Sequence, residues 1–255
     1  MIDKKDVKFN FLKTGVLYGI FLFFTLLVKV FDVSTYLYNN DMKIGFSNLN
    51  KNFNHKITYS SALSDKSEFL LKFSDALAYL AIAVMAVFAV IGLLQLIFRK
   101  SFKKVDYQIY SLAIVYVLLF AFYGLFEVLI VNYRPIMVEG IYEASYPSSH
   151  TMLSIVAFCT AIPEGIRLFG KNNQIKLAIS IVLPVLTGLA IILRMLCGYH
   201  WFTDILGGIL LSIALIETYY SLVYYGDFRH QKVKIKVDDD INYFNEPEEI
   251  DITKL

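Results

Sequence analysis

Three short pieces of the chain carry residue types that can work on a phosphate. The first is Arg134-Pro135. The second is Pro147-Ser148-Ser149-His150. The third is Arg194, five residues, His200, three residues and Asp204. Two arginines can grip the non-bridging oxygens of a phosphate with planar donor forks. The backbone N–H groups of Ser148, Ser149 and His150, at the start of a helix, suit the same kind of anion. A histidine ring nitrogen can attack phosphorus if its other nitrogen is held as a donor. Asp204, one helical turn after His200, can accept that N–H and fix the tautomer. A second histidine can protonate the leaving oxygen, a role worth typically about 10²–10⁴-fold. The chemistry this set suits is phosphoryl transfer, with basic groups doing the work of a metal. No cofactor is called for, and no Asp/Glu/His cluster with metal-ligand spacing is visible.

Taken singly, each piece has a plain structural reading. Arg134 is an interfacial side chain and Pro135 a helix stop. Pro-Ser-Ser is an ordinary helix start, and His200 with Asp204 is a hydrogen-bonded i,i+4 pair. The conjunction carries the argument. Two of the four histidines sit with Arg134 and Arg194 in two neighbouring loops. Ionisable groups in or beside membrane spans cost about 2.5–3.5 kcal/mol at mid-bilayer, which marks them as functional candidates.

Membrane spans are what must position these loops. The 255 residues are 57% hydrophobic and 18% charged, with a mean hydropathy of +0.56. A soluble domain is about 45–50% apolar and about 25% charged. A net charge of +2 is too small to suggest nucleic acid. Cys159 and Cys197 both lie in apolar runs, which excludes a disulfide framework or zinc site. A spanning helix needs about 20 mostly apolar residues. Six runs qualify, from about Phe11 to Phe31, Phe73 to Phe98, Tyr110 to Val131, Ser149 to Leu168, Leu177 to Leu193 and Trp201 to Tyr225. The expected fold is therefore all-α and polytopic. Residues 1–10 form an N-terminus, 11–225 the six-span membrane domain, and 226–255 a polar tail expected to be disordered. The first run reads as an uncleaved anchor, because no small-x-small site follows it. Lys and Arg gather in the N-terminus and the second and fourth loops, so these and both termini are expected to be cytoplasmic. The third and fifth loops, which hold the three pieces, and a long first loop of about residues 32–72 then lie outside the cell membrane.

The three pieces resemble the signature of the type 2 phosphatidic acid phosphatase superfamily: Lys-x6-Arg-Pro, Pro-Ser-Gly-His and Ser-Arg-x5-His-x3-Asp. The matches are Arg134-Pro135, Pro147-Ser148-x-His150 and Arg194-x5-His200-x3-Asp204. The resemblance implies an integral-membrane lipid phosphatase. His200 would be the nucleophile, forming a phosphohistidine, and Asp204 would orient it. His150 would be the acid, and Arg134, Arg194 and Ser148 would hold the phosphate, with Ser149 adding a hydroxyl. Substrates of the family are membrane lipids: phosphatidic acid, phosphatidylglycerol phosphate and undecaprenyl diphosphate. A lipid phosphotransferase, or a non-catalytic binder or transporter of phosphorylated lipid, fits the same residues.

Three positions depart from the signature. Ser149 replaces Gly, Leu193 replaces Ser, and Glu127 replaces Lys. Glu127 lies seven residues, or about two helical turns, before Arg134. It is expected to pair with Arg134 or Arg194 and position it, with Lys66 or Lys72 approaching the site instead; the competing reading is a site that binds without turnover. The motifs carry no reading of oligomeric state.

Overall fold

The computed structural model describes residues 2–36, 39–58, 67–136 and 143–245. Seven α-helices account for most of them: α1 Lys4–Val30, α2 Ser47–Thr58, α3 Ser67–Arg99, α4 Tyr107–Val128, α5 Ser149–Phe169, α6 Asn173–Leu196 and α7 Phe202–Asn245. All except α2 are long and apolar enough to cross a membrane. The six expected spans are therefore present, most of them longer than their apolar cores because polar first turns join the helix. α1 starts at Lys4 behind Asp3, with Asp6 closing a capping box, and α6 starts behind Asn172, whose side chain accepts from Gln174 N–H at 2.8 Å. The third span ends at Val128 rather than Val131.

α5 and α7 are the most enclosed spans, and α1 and α4 both pack along α7. Large apolar side chains such as Val128, Phe98 and Val117 are 80%, 78% and 68% exposed. That surface is unfavourable in water and is what hydrocarbon solvates. Inside, Phe21 of α1 packs edge-on against Phe126 of α4, with ring centroids 5.7 Å apart, and stacks on Tyr146 at 6.4 Å. Tyr146 then bonds Thr25 at 2.7 Å, which fixes the segment just before α5.

The first loop is more structured than an all-α reading implies. β1 (Ser34–Tyr36) and β2 (Asn39–Ile44) pair antiparallel, with Ser34 opposite Ile44, ahead of α2. Gly45 lets this hairpin close on α1, because a Cβ there would lie 1.5 Å from the Val28 carbonyl oxygen. Asn50 of α2 donates to Thr203 Oγ1 at 2.9 Å and accepts from Thr203 N–H at 3.2 Å, docking the loop on the start of α7.

The opposite end of the bundle is tied by charge. Asp106, just before α4, accepts from Arg99 at 2.6 Å, from Arg167 at 2.9 Å and from Gln95 at 3.0 Å. Burial alone would raise its carboxyl pKa, but these bonds outweigh that and hold it below the usual carboxylate range. Glu164, buried within α5, bonds Arg167 and Tyr219 of α7. The expected boundary at residue 226 is not a break in the helix, since α7 runs on to Asn245. Gly226 is the last glycine, and no proline follows before that point to stop it. Residues 246–255 of the tail lie outside the described residues, as does Lys66.

Candidate active site

The three motif pieces converge at the end of the bundle away from Asp106. After α4 ends, residues 132–134 turn back and meet 143–145. Tyr133 bridges Ala144, Arg134 N–H donates to the Glu143 carbonyl at 3.1 Å, and Ser145 N–H to the Asn132 carbonyl at 2.9 Å. The Ser148 N–H donates to the Asp204 carbonyl at 3.0 Å, tying the start of α5 to α7. A Cβ on Gly207 would lie 2.4 Å from Cε2 of Tyr146, so glycine is what lets this segment sit against α7.

His200 is buried, and its two ring nitrogens have opposite surroundings. Nδ1 lies 3.0 Å from the Ser145 carbonyl oxygen, which only accepts. Nε2 lies 3.2 Å from Arg194 Nη2, which only donates. A neutral ring therefore carries its proton on Nδ1 and its lone pair on Nε2. Burial, then the guanidinium charges of Arg194 and Arg134 and the nearby His150, push the His200 pKa well below its ordinary value, so the ring is uncharged near neutral pH.

Asp204 acts at one remove from the expected position. Its Oδ2 is 3.9 Å from His200 Nδ1, beyond hydrogen-bond reach. The Ser145 hydroxyl stands between them, 3.1 Å from Nδ1 and donating to Oδ2. Asp204 also accepts from Trp201 N–H at 2.9 Å and Asn132 Nδ2 at 3.0 Å. The i,i+4 spacing brings ring and carboxylate to one face but leaves a gap that Ser145 fills. Sequence reasoning passed over Ser145 and Asn132. Their only signal was their place within two residues of motif positions.

Arg194, 2% exposed, reaches Asp75 Oδ1 with Nη1 at 3.3 Å, and His150 Nε2 lies 3.2 Å from the same oxygen. Asp75, on α3, was also missed, although a lone carboxylate in an apolar span is a signal in itself. Arg134 Nε lies 3.2 Å from Glu143 Oε2, at an angle that makes no hydrogen bond.

The expected pairing of Glu127 with an arginine is not observed, since Glu143 and Asp75 take those places. The reason is local. α4 stops one residue after Glu127, so a seven-residue separation is not two helical turns. Glu127 instead lines a small cavity with Arg134, Ser145, Ser149 and His200. Lys72 pairs with Glu68 on its own helix at 2.7 Å. Ser148 is fully buried and its N–H is committed to Asp204, so only its hydroxyl, already accepting from Thr151 at 2.9 Å, remains for a phosphate. By helix geometry the first-turn N–H groups of Ser149 and His150 have no intrahelical acceptor.

Among the described residues, three buried side-chain nitrogens lack a hydrogen-bond partner: Arg134 Nε, Arg194 Nε and His150 Nδ1. All three belong to motif residues. Buried polar groups are almost always satisfied, and such groups are what an anion satisfies; Arg134 lines the small cavity with His200, and His150 lines an apolar groove beside Ser149.

Residues 127–227 match the PAP2 superfamily. The likeness read from the three motifs is thereby borne out, and every motif residue falls inside the matched PAP2 segment. The fold is similar to the crystal structure of a transmembrane PAP2 type phosphatidylglycerolphosphate phosphatase from Bacillus subtilis. The TM-score is 0.57 at 17% identity, over 84% of this chain and 96% of that one. At that identity the likeness is one of PAP2 fold. No curated protein matches the chain.

Proposed function

We propose that the protein is an integral-membrane lipid phosphatase working through a phosphohistidine on His200, without a metal. The observation that carries the reading is the cluster of three unsatisfied buried nitrogens beside a histidine whose Nε2 lone pair is free of a proton. Arg134, Arg194 and the N–H groups of Ser149 and His150 hold the phosphoryl oxygens. Nε2 of His200 bonds to phosphorus, the P–O bond to the lipid breaks, and His150 gives a proton to the leaving oxygen. As Nε2 bonds, positive charge develops on the ring. The Ser145 carbonyl and, through the Ser145 hydroxyl, Asp204 stabilise it. Water then attacks phosphorus and gives a proton to His150 as the Nε2–P bond breaks, which frees phosphate and returns the lone pair to His200.

An apolar groove of about 320 Å³ between α3, α4 and α5 reaches His150 and Ser149, past Tyr79, Ile82, Leu119 and Phe120. It suits a lipid tail lying beside the headgroup. Phosphatidic acid, phosphatidylglycerol phosphate and undecaprenyl diphosphate all fit this class. The Bacillus protein bears on the second of these. The basic loops at the Asp106 end support a cell-membrane orientation with the site on the extracytoplasmic side.

The test is phosphate release from these three lipids by purified protein in EDTA. Release is expected, and His200→Ala is expected to abolish it with binding retained. Substantial turnover by that variant overturns the nucleophile assignment. Binding without release in the wild type favours the non-catalytic reading.

A further inference from the structure

We infer that Asp75 is a positioning residue for the leaving-group histidine, an inference that rests on the phosphatase reading above. Asp75 belongs to none of the three motif pieces and lies outside the segment matched to PAP2, 119 residues from Arg194. Even so, its Oδ1 meets two motif side chains, His150 Nε2 at 3.2 Å and Arg194 Nη1 at 3.3 Å.

The atoms determine what this contact does. An ionised carboxylate only accepts, so His150 turns an N–H on Nε2 toward Asp75. Nδ1, buried and without a partner, is then the nitrogen that carries the transferable proton. In the first step Nδ1–H passes its proton to the leaving alkoxide oxygen as the P–O bond breaks, while Nε2–H stays on Asp75. In the second step the water oxygen bonds to phosphorus and its proton returns to Nδ1, while the His200 Nε2–P bond breaks and phosphate leaves.

To give up Nδ1–H while Nε2–H stays on Asp75, His150 must take up a second proton once the phosphate dianion is bound, against the repulsion of two guanidinium groups. The Asp75 charge offsets that repulsion and also turns the ring. Each histidine therefore has its own carboxylate: Asp204, through Ser145, serves the nucleophile, and Asp75 serves the acid. Asp75 sits at the first turns of α3 and belongs to the helix that also lines the apolar groove through Ala78, Tyr79 and Ile82.

Leaving-group dependence tests this. Dioctanoyl phosphatidic acid expels a poor leaving group that needs a proton, whereas p-nitrophenyl phosphate expels a phenolate that does not. Asp75→Asn is expected to lower kcat/KM on the lipid about tenfold or more. It is expected to change kcat/KM on the aryl phosphate less than about threefold, with Asp75→Glu recovering part of the lipid loss. A change confined to Arg194 would lower both substrates together, because both present the same phosphoryl group. Equal loss on the two substrates, or full lipid activity in Asp75→Asn, overturns the assignment. Should Asp75→Asn not fold, the same ratio is read from Asp75→Ser, which also lacks the carboxylate, and an unchanged ratio overturns it equally. A wild-type protein that releases phosphate from neither substrate overturns the phosphatase reading itself.

Discussion

Removing the Ser145 hydroxyl separates what the backbone does for His200 from what Asp204 does. In Ser145→Ala the carbonyl oxygen stays 3.0 Å from His200 Nδ1, so the ring keeps its tautomer. What goes is the hydroxyl that donates to Asp204 and lies 3.1 Å from the ring. Asp204 still accepts from Trp201 and Asn132, so the carboxylate stays in place but loses its route to the imidazole. A hydrogen bond to a charged group contributes about 1.5–3 kcal/mol. At about 1.36 kcal/mol per tenfold in rate, the loss corresponds to about 10- to 150-fold in kcat/KM. The assay is phosphate release from dioctanoyl phosphatidic acid in detergent, with thermal unfolding as the control for packing. Activity within about twofold of wild type would show that the carboxylate does not act through this hydroxyl. Inactivity equal to that of His200→Ala would show that the carbonyl alone does not hold the ring.

Two other outcomes follow from the same geometry. Gly207→Ala gains about 1 kcal/mol of helix propensity, but its Cβ would lie 2.4 Å from the Tyr146 ring, at an overpacking cost of about 1–3 kcal/mol. The clash wins, so lower activity and a lower or unchanged unfolding temperature are expected, and a stabilised, fully active variant would contradict the packing described. The second concerns pH. His200 has a pKa well below 6.5 in the fold, so the unfolded chain binds the extra proton. Its contribution to stability is complete above about pH 6.5 and is lost as pH falls from there toward the folded value. Unfolding temperatures at about pH 7.5 and about pH 5.5 should converge in His200→Gln relative to wild type, and an unchanged difference would refute the depressed value.

The spans were legible because hydropathy over about 20 residues is a local property of sequence, and the motifs because their spacing is local too. Arg134 and His200 do line one small cavity, Arg194 meets His200, and His150 meets the same Asp75 oxygen as Arg194. The sequence did not reveal what comes between and behind them. Ser145 fills a gap that i,i+4 geometry leaves open, and Asp75 arrives from another helix across a long stretch of chain. Glu127 was misjudged because an apolar run to Val131 looks helical throughout, while the helix stops at Val128. The tail was read from composition alone, and charged residues without glycine or proline can continue a helix as readily as leave it.

The Asp106 junction has a consequence for the spacing of the helices it joins. It joins the end of α3 through Arg99, the end of α5 through Arg167 and the approach to α4. At the other extremity Asp75 of α3 holds His150 of α5 and Arg194 of α6. α3 and α5 are thus pinned near both ends, like rails on two sleepers, and the groove beside His150 lies in the interval between the ties. Arg167→Ala would remove one of the two fastenings and leave the other in place.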